Sequence, residues 1–323
     1  MLIVKKFGGT SVANKECIYR VANRCLEDYN QGHDIVLVLS AMGKYTDGLI
    51  AQAKEINPNP SSRELDMLLA IGEQMSVSLM AMAFEHLGIS AVSLNAFQAG
   101  IYTTDDYSNA EIMDMSVSRI RVELQQKKIV IVTGFQGVDQ HNNLTTLGRG
   151  GSDTTAVALA GALNADACEI YTDVDGVYTA DPRIVPEAKK FQSLSFDMML
   201  ELAASGAGVL HDRCARLAQE HQIVLVVRSS MSHAPGTVIC EQKQTALTKE
   251  CGLALKTEGN TSCIAVVGNN VAENLSLIQN IRTMLEQEHI LFQYTYASPN
   301  KICFTVEAVC GTLVMQKIHA LLP

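Results

Sequence analysis

The sequence predicts an α/β protein: a mainly parallel sheet with helices on both faces, followed by a small α+β unit. Three observations carry this. Short Val/Ile-rich runs alternate with amphipathic stretches up to about residue 240. Those runs are apolar throughout rather than alternating with polar residues, the pattern of strands buried on both faces. Beyond about residue 250 the order changes to strand, strand, helix, strand, strand, helix, which is a ferredoxin-like α+β arrangement.

In chain order, strands are expected at Leu2–Phe7, Ile35–Leu39, Ala91–Leu94, Ile129–Thr133, Ala167–Thr172 and Ile223–Val227. A first helix places Ile18, Val21, Ala22, Cys25 and Tyr29 on one face and stops at Gly32. A second helical region runs from about Glu64 to Leu87, with Gly88 as its stop signal. A third helix opens near Asp153 on an Ala/Val/Leu run without proline. After Arg228 the segment SSMSHAPGT is turn-rich, a short strand follows, and EQKQTALTKE reads as a linker. Past it, strands are expected at Gly252–Thr257 and Ser262–Gly268. A helix at Val271–Gln287 carries apolar Val271, Leu275, Ile278, Ile281 and Leu285. Strands at Ile290–Tyr296 and Lys301–Val306 precede a last helix carrying Val314, Ile318 and Leu321.

Composition narrows the function classes. A chain of 323 residues allows roughly two domains and a full core. With 47% hydrophobic and 18% charged residues it is an ordered globular protein. Its net charge of −9 argues against nucleic acid or an anionic membrane surface as a partner. Nine cysteines without a C-x-x-C pair fit scattered reduced thiols, mostly small buried residues, and no metal site is expected. MLIVKKFGG has no signal-peptide core, and no apolar run approaches the ~20 residues of a membrane span. A soluble, cytoplasmic protein is expected.

The stretch TTLGRGGSDTTAVALAG, residues 145–161, is the richest in chemistry. Gly148, Gly150 and Gly151 permit close backbone approach, so the loop can present several N–H groups to an anion. The helix that follows adds its positive dipole end. Arg149 offers a planar fork for a carboxylate or phosphate, and Asp153 a fixed negative charge. The stretch fits neither the Walker pattern nor G-x-G-x-x-G. The same composition also fits a Gly-rich turn that only caps a core helix.

Other segments fall where open α/β sheets bind ligands, beyond the carboxyl ends of strands. Lys5-Lys6-Phe7-Gly8-Gly9-Thr10-Ser11 puts lysine and glycines at a strand-to-helix turn. Backbone N–H groups and an ammonium can there neutralise a transferring phosphoryl group. One of the two lysines is expected to be solvated. Ser40 follows the second strand. Glu73 sits in a Leu/Met/Ala-rich helix, where a carboxylate must find a cation or shift its pKa. A substrate ammonium or an internal Arg or Lys would each serve. Thr172-Asp173-Val174-Asp175-Gly176 forms an acidic loop that can accept from ribose hydroxyls, Tyr178 can stack on a base, and Arg183 can reach phosphates.

Taken together, KFGGTSVA, SAMGKYTD, GEQMS, GFQG, TTLGRGGSDTT and YTDVDGVYTADPR, in this order and spacing, resemble the aspartokinases of the amino-acid kinase superfamily. The resemblance covers residues 1 to about 240. It implies an amino-acid kinase fold, a three-layer sandwich on a mainly parallel sheet, and phosphorylation of the side-chain carboxylate of L-aspartate by MgATP. Lys6 then matches the lysine that stabilises the transferring phosphoryl group, Asp153 the aspartate that orients it, and Gly8 and Gly9 the backbone donors. Ser40, Thr46 and Ser152 match substrate-side positions. Glu73 matches the acid that receives the substrate ammonium, and Arg149 the grip on a substrate carboxylate. Thr172, Asp173, Tyr178 and Arg183 match nucleotide contacts, with Lys6, Gly8 and Gly9 also on the ATP side. Two other readings are open: a kinase for another amino-acid carboxylate, or a non-catalytic sensor of amino acids.

Two departures from the pattern matter. Where many relatives read Gly-Ala-Lys-Val-Leu-His, this chain has Gly206-Ala207-Gly208-Val209-Leu210-His211, without the lysine that contacts nucleotide phosphates. Aspartokinases usually end in two ACT regulatory domains. Here residues 1–242 are expected to form the catalytic domain and 250–323 a single ACT-like one. A lone module leaves a sheet edge uncovered, so a homodimer or higher homo-oligomer is expected. The stretch Gly268–Asn274 lacks the Pro-Gly pair of effector-binding ACT domains, which implies weak or absent inhibition by lysine or threonine. Side chains of Asn269 and Asn270 could instead keep an effector site.

Overall fold

The computed structural model describes residues 1–241 and 251–322. The linker expected at EQKQTALTKE lies, from residue 242, outside the described residues. Along the chain run β1 Leu2–Phe7, α1 Lys15–Tyr29, β2 Asp34–Leu39, α2 Tyr45–Ile56, α3 Ser62–His86, β3 Ala91–Leu94 and α4 Ala96–Ala99. Next come β4 Ile101–Thr103, β5 Ile112–Met115, α5 Ser118–Gln125, β6 Ile129–Thr133, β7 Gln136–Val138, β8 Leu144–Thr146, α6 Gly151–Leu163 and β9 Ala167–Thr172. The remainder is β10 Ser193–Leu194, α7 Phe196–Ala204, α8 Asp212–Glu220, β11 Leu225–Ser229 and β12 Thr237–Ile239. After residue 250 follow β13 Gly252–Glu258, β14 Thr261–Val267, α9 Leu275–Gln287, β15 Phe292–Ser298, β16 Lys301–Glu307 and α10 Gly311–Leu321. The chain forms two compact units, Met1–Asp175 with Leu217–Gly236, and Gly176–Arg216 with Thr237–Pro323.

In the first unit six strands pair in the order β11-β9-β1-β2-β6-β3, every pair parallel. This is the expected parallel sheet. Alternation along the strands sorts side chains to two faces. Ile3, Phe7, Ile35, Leu37, Leu39, Ile129 and Ile131 pack with Ile18, Val21 and Cys25 of α1 and Val77, Met80 and Phe84 of α3. The residues between them, Val4, Val36, Val38, Val130 and Val132, are also fully buried, and α6 packs along β1, β2 and β9. Helices thus cover both faces, which gives the three layers. A second, mixed sheet, β5-β4-β7-β8, was not anticipated; its strands are three or four residues long, too short to show a period.

In the second unit β13-β14-β16-β15 form an antiparallel sheet with α9 and α10 packed on it, the expected ferredoxin-like order. Ala180 and Val185 enter the same apolar core, so part of 176–216 folds with this module. β10 and β12 pair in parallel.

Several boundaries move for local reasons. The strand expected at Ile223 starts at Leu225, because the Ile223 N–H closes the preceding helix on the Ala218 carbonyl. Ile290 likewise bonds back to Leu285 after a left-handed His289, so β15 starts at Phe292. The helix expected from Val271 is a short 3-10 turn, Val271–Glu273, followed by α9, whose Leu277 N–H is capped by the Asn274 side chain. α3 is 25 residues long and apolar enough to cross a membrane by length and composition alone, a longer apolar stretch than the sequence suggested. Half of its apolar window is buried inside the protein, and it carries buried Asp66 and Glu73, so the hydrophobicity serves the core. No cysteine is fully exposed; four of the nine are buried and five half-buried.

Candidate active site

The carboxyl ends of β1, β2 and β6 and the start of α6 surround a cavity of about 400 Å³ lined by Lys6, Gly9, Ser40, Thr46, Glu73, Ser152 and Asp153, among others. Residues far apart in sequence meet here because parallel strands deliver all their following loops to one sheet edge. The approach is close. A Cβ on Gly9 would lie 2.6 Å from the Ala41 carbonyl oxygen, so only glycine fits there, and the Gly9 carbonyl accepts from the Gly43 N–H at 2.9 Å.

The positive side is built by two adjacent elements. Lys6 points to the face covered by α6 and its Nζ lies 2.6 Å from Asp153 Oδ1, both side chains largely buried. Gly8 stands beside that ammonium, its Cβ position 3.6 Å from Lys6 Nζ. The α6 helix starts at Gly151 after a left-handed Gly150 (φ 71°), and Gly148 is left-handed too (φ 73°). Its first residues, Gly151, Ser152 and Asp153, line the cavity, so the N–H groups of Ser152 and Asp153 and the helix dipole favour an anion there, while the Gly151 N–H donates to the Gly148 carbonyl. The Gly-rich stretch therefore builds a cavity wall as well as capping a core helix.

The expectation of a solvated lysine at the strand end is wrong. Lys5 is completely buried on the opposite face, where it pairs with Asp28 of α1 and with Glu169 at 2.6 Å. Burial opposes its charge, but Glu169, Tyr171 and Asp28 outweigh burial and hold its pKa above the ordinary range. Arg228 joins Glu169 at 2.8 Å, and the Tyr171 ring stacks on Phe7 at 4.2 Å. The network ties β1 and β9 to α1 and takes no part in the cavity.

The negative side is Glu73. It is 3% exposed, and its Oε1 accepts from the Ala41 N–H at 2.9 Å while Oε2 is buried without a partner. Burial pushes its pKa up to about 7, against the lowering effect of the backbone hydrogen bond. Among the described residues no Arg or Lys pairs with it, so the internal-cation alternative falls away. A buried carboxylate oxygen without a donor is costly to leave so, and this one belongs to a residue that lines the cavity.

Arg149 is exposed on the loop between the two left-handed glycines and makes no ion pair among the described residues. Thr172 and Asp173 follow β9, with the Thr172 hydroxyl donating to Asp173 at 2.9 Å. Tyr178 and Arg183 belong to the second unit. There Tyr178 bridges to Lys190, and the Arg183 guanidinium grips Asp181 with Nε and Nη2, holding that carboxyl below its ordinary pKa. Phe135 was given no role from sequence, yet it lines the cavity with a left-handed backbone (φ 69°), and its ring lies beside Gly151. The signal was the GFQG motif directly after a strand.

Residues 1–229 match the profile of the amino acid kinase family. The chain is 49% identical over 292 residues to the aspartokinase of Bacillus sp. (strain MGA3), covering 90% of this chain and 70% of that protein. It is 54% identical over 241 residues to the aspartokinase of Geobacillus stearothermophilus, covering 75% of this chain and 59% of that protein. Among solved structures, aspartate kinase from Synechocystis matches with a TM-score of 0.69 at 38% identity, over 99% of this chain and 55% of that one. E. coli aspartokinase III in complex with aspartate and ADP matches in fold with a TM-score of 0.85, over all of both chains at 24% identity.

Proposed function

We infer that this chain, which belongs to the amino acid kinase family and within it to the aspartokinases, transfers the γ-phosphoryl group of MgATP to the side-chain carboxylate of L-aspartate. The product is 4-phospho-L-aspartate. The observation that carries this reading is the buried, partnerless Glu73 oxygen in the same cavity as the Lys6–Asp153 pair. A free ammonium satisfies Glu73; an acylated amino group would leave its charge without a counter-ion, and a mismatch of buried polar groups can cost on the order of 10⁴ in kcat/KM.

The roles follow from charge. Glu73 receives the substrate ammonium and Arg149 its α-carboxylate, while Ser40, Thr46 and Ser152 offer hydroxyls to the bound amino acid. The attacking carboxylate is already ionised, so no general base is needed. Its oxygen bonds to the γ-phosphorus as the bond to ADP breaks, and catalysis consists of positioning and charge stabilisation. Lys6, oriented by Asp153, neutralises the transferring group, and backbone N–H groups at Gly8 and Gly9 assist. Thr172, Asp173, Tyr178 and Arg183 hold the nucleotide. Trapping the acyl phosphate with hydroxylamine, with aspartate, glutamate and acetylglutamate compared at saturating MgATP, tests the assignment. Hydroxamate is expected from aspartate alone, and its absence there would sink the reading.

Gly208 stands where many relatives carry a lysine that contacts nucleotide phosphates. A Cβ at this exposed residue meets nothing within 4 Å, and its backbone is outside the left-handed region. Gly208→Lys should therefore fold normally and lower KM for ATP by about threefold or more through one added charged contact. An unchanged or higher KM would show that this position does not reach the phosphates.

Residues 1–242 are assigned the chemistry and 250–323 a regulatory and dimerising role, in the cytoplasm, where both substrates occur. Supporting a homodimer or larger assembly, the small module exposes Leu275, Leu291 and Val309. Light scattering should give at least twice the 35.0 kDa chain mass, and a monomeric mass would remove that role.

A further inference from the structure

Helix α3 carries two buried carboxylates, and the mechanism uses only Glu73. Asp66 lies two turns earlier, about 10 Å along the helix axis. It is fully buried with no cation beside it among the described residues. Its Oδ2 accepts from the N–H groups of Ser108 and Thr146, each at 2.8 Å. Its Oδ1 accepts from the Ser108 hydroxyl at 3.0 Å and the Thr146 hydroxyl at 2.8 Å. Four donors fill the capacity of one carboxylate.

Both partners lead to Arg149. Thr146 ends β8, and the chain passes through Leu147 and Gly148 directly to Arg149. Ser108 lies in the loop between β4 and β5 with φ 69°, a left-handed conformation that serine rarely adopts without support. Its carbonyl oxygen lies only 3.0 Å from where a Cβ on Gly148 would be, so this loop backs the turn that presents Arg149. The Ala110 N–H closes the arrangement on the Thr146 carbonyl at 2.9 Å. Burying an unpaired carboxylate costs stability, and these hydrogen bonds offset it. What remains is a rigid tie between the helix that bears Glu73 and the loop that bears Arg149.

We propose that Asp66 is a positioning residue that sets the separation between the ammonium-binding Glu73 and the carboxylate-binding Arg149. The proposal rests on the roles given to those two residues above. Asp66 touches no substrate; it acts through the Thr146 and Ser108 bonds, and its effect falls on the amino-acid side of the reaction.

The test uses two variants of the full chain. Asp66→Asn keeps the shape and one accepting oxygen, but its NH2 group faces two of the four donors and cannot accept from them. Thr146→Val removes one hydroxyl and keeps the backbone bond. KM for aspartate should rise about tenfold or more in Asp66→Asn and about threefold in Thr146→Val, with KM for MgATP within about twofold of wild type in both. The double variant should lose less than the product of the single effects, because both break the same contact. Equal rises in the two KM values, or an unchanged aspartate KM, would overturn the proposal. If Asp66→Asn fails to fold, Thr146→Val decides by the same split between substrates. Wild-type protein that makes no hydroxamate from aspartate would instead refute the reaction, whatever the variants do.

Discussion

Lys6→Ala is expected to lower kcat by about 10²–10³ or more, the scale for losing one preorganised charge donor to a transition state. Affinity for aspartate should stay close to wild type, because Lys6 pairs with Asp153 rather than with Glu73, the residue proposed to hold the amino acid. The loss is compounded by what remains. Without the ammonium, the largely buried Asp153 carboxylate faces the anionic phosphoryl group uncompensated. Turnover within about threefold of wild type would remove Lys6 from the mechanism, being far below that scale.

Glu73→Gln should act almost wholly on the amino acid. The amide keeps the shape and loses the charge, so KM for aspartate should rise about ten- to a hundredfold, as when a hydrogen bond to a charged group is lost. KM for ATP should not move, and an equal rise in both would make Glu73 a structural residue. The pH dependence gives an independent check. Empty Glu73 titrates near 7, and its protonated form cannot receive an ammonium. In wild type, KM for aspartate should climb as pH falls below that point, by up to about tenfold per pH unit, and the slope should vanish in Glu73→Gln. The sign for stability is opposite to that of a salt-bridged acid. A carboxyl whose pKa is raised by folding costs nothing below its unfolded value; the cost grows as pH rises from there to the folded value of about 7 and levels off above it. Aspartate should therefore raise Tm more at pH 8 than at pH 6.

Much of this was legible in the linear sequence. Runs such as Ile129–Thr133 are all-apolar because both sides of the strand are covered, and that property needs no coordinates to read. An acid at position 73 in an apolar helix announced a buried charge in need of a partner. The glycines at 148 and 150 marked a loop with left-handed turns, which the backbone confirms. Strands β4, β5, β7 and β8 escaped notice because three or four residues carry no period, and they exist only through pairing with one another.

The choice between Lys5 and Lys6 shows where tertiary structure takes over. By itself the sequence determined that a strand ends in two lysines and two glycines at a ligand-binding sheet edge. In a strand buried on both faces, neither neighbour is marked as inward or outward, so adjacent lysines look alike. Packing decided between them. Alternation turned Lys5 toward α1, where Asp28 and Glu169 neutralise it away from solvent, and turned Lys6 toward α6, where Asp153 holds it at the cavity. Local residue types set which charges are present; only the placement of the two covering helices set which charge lines the cavity and which ties the sheet together.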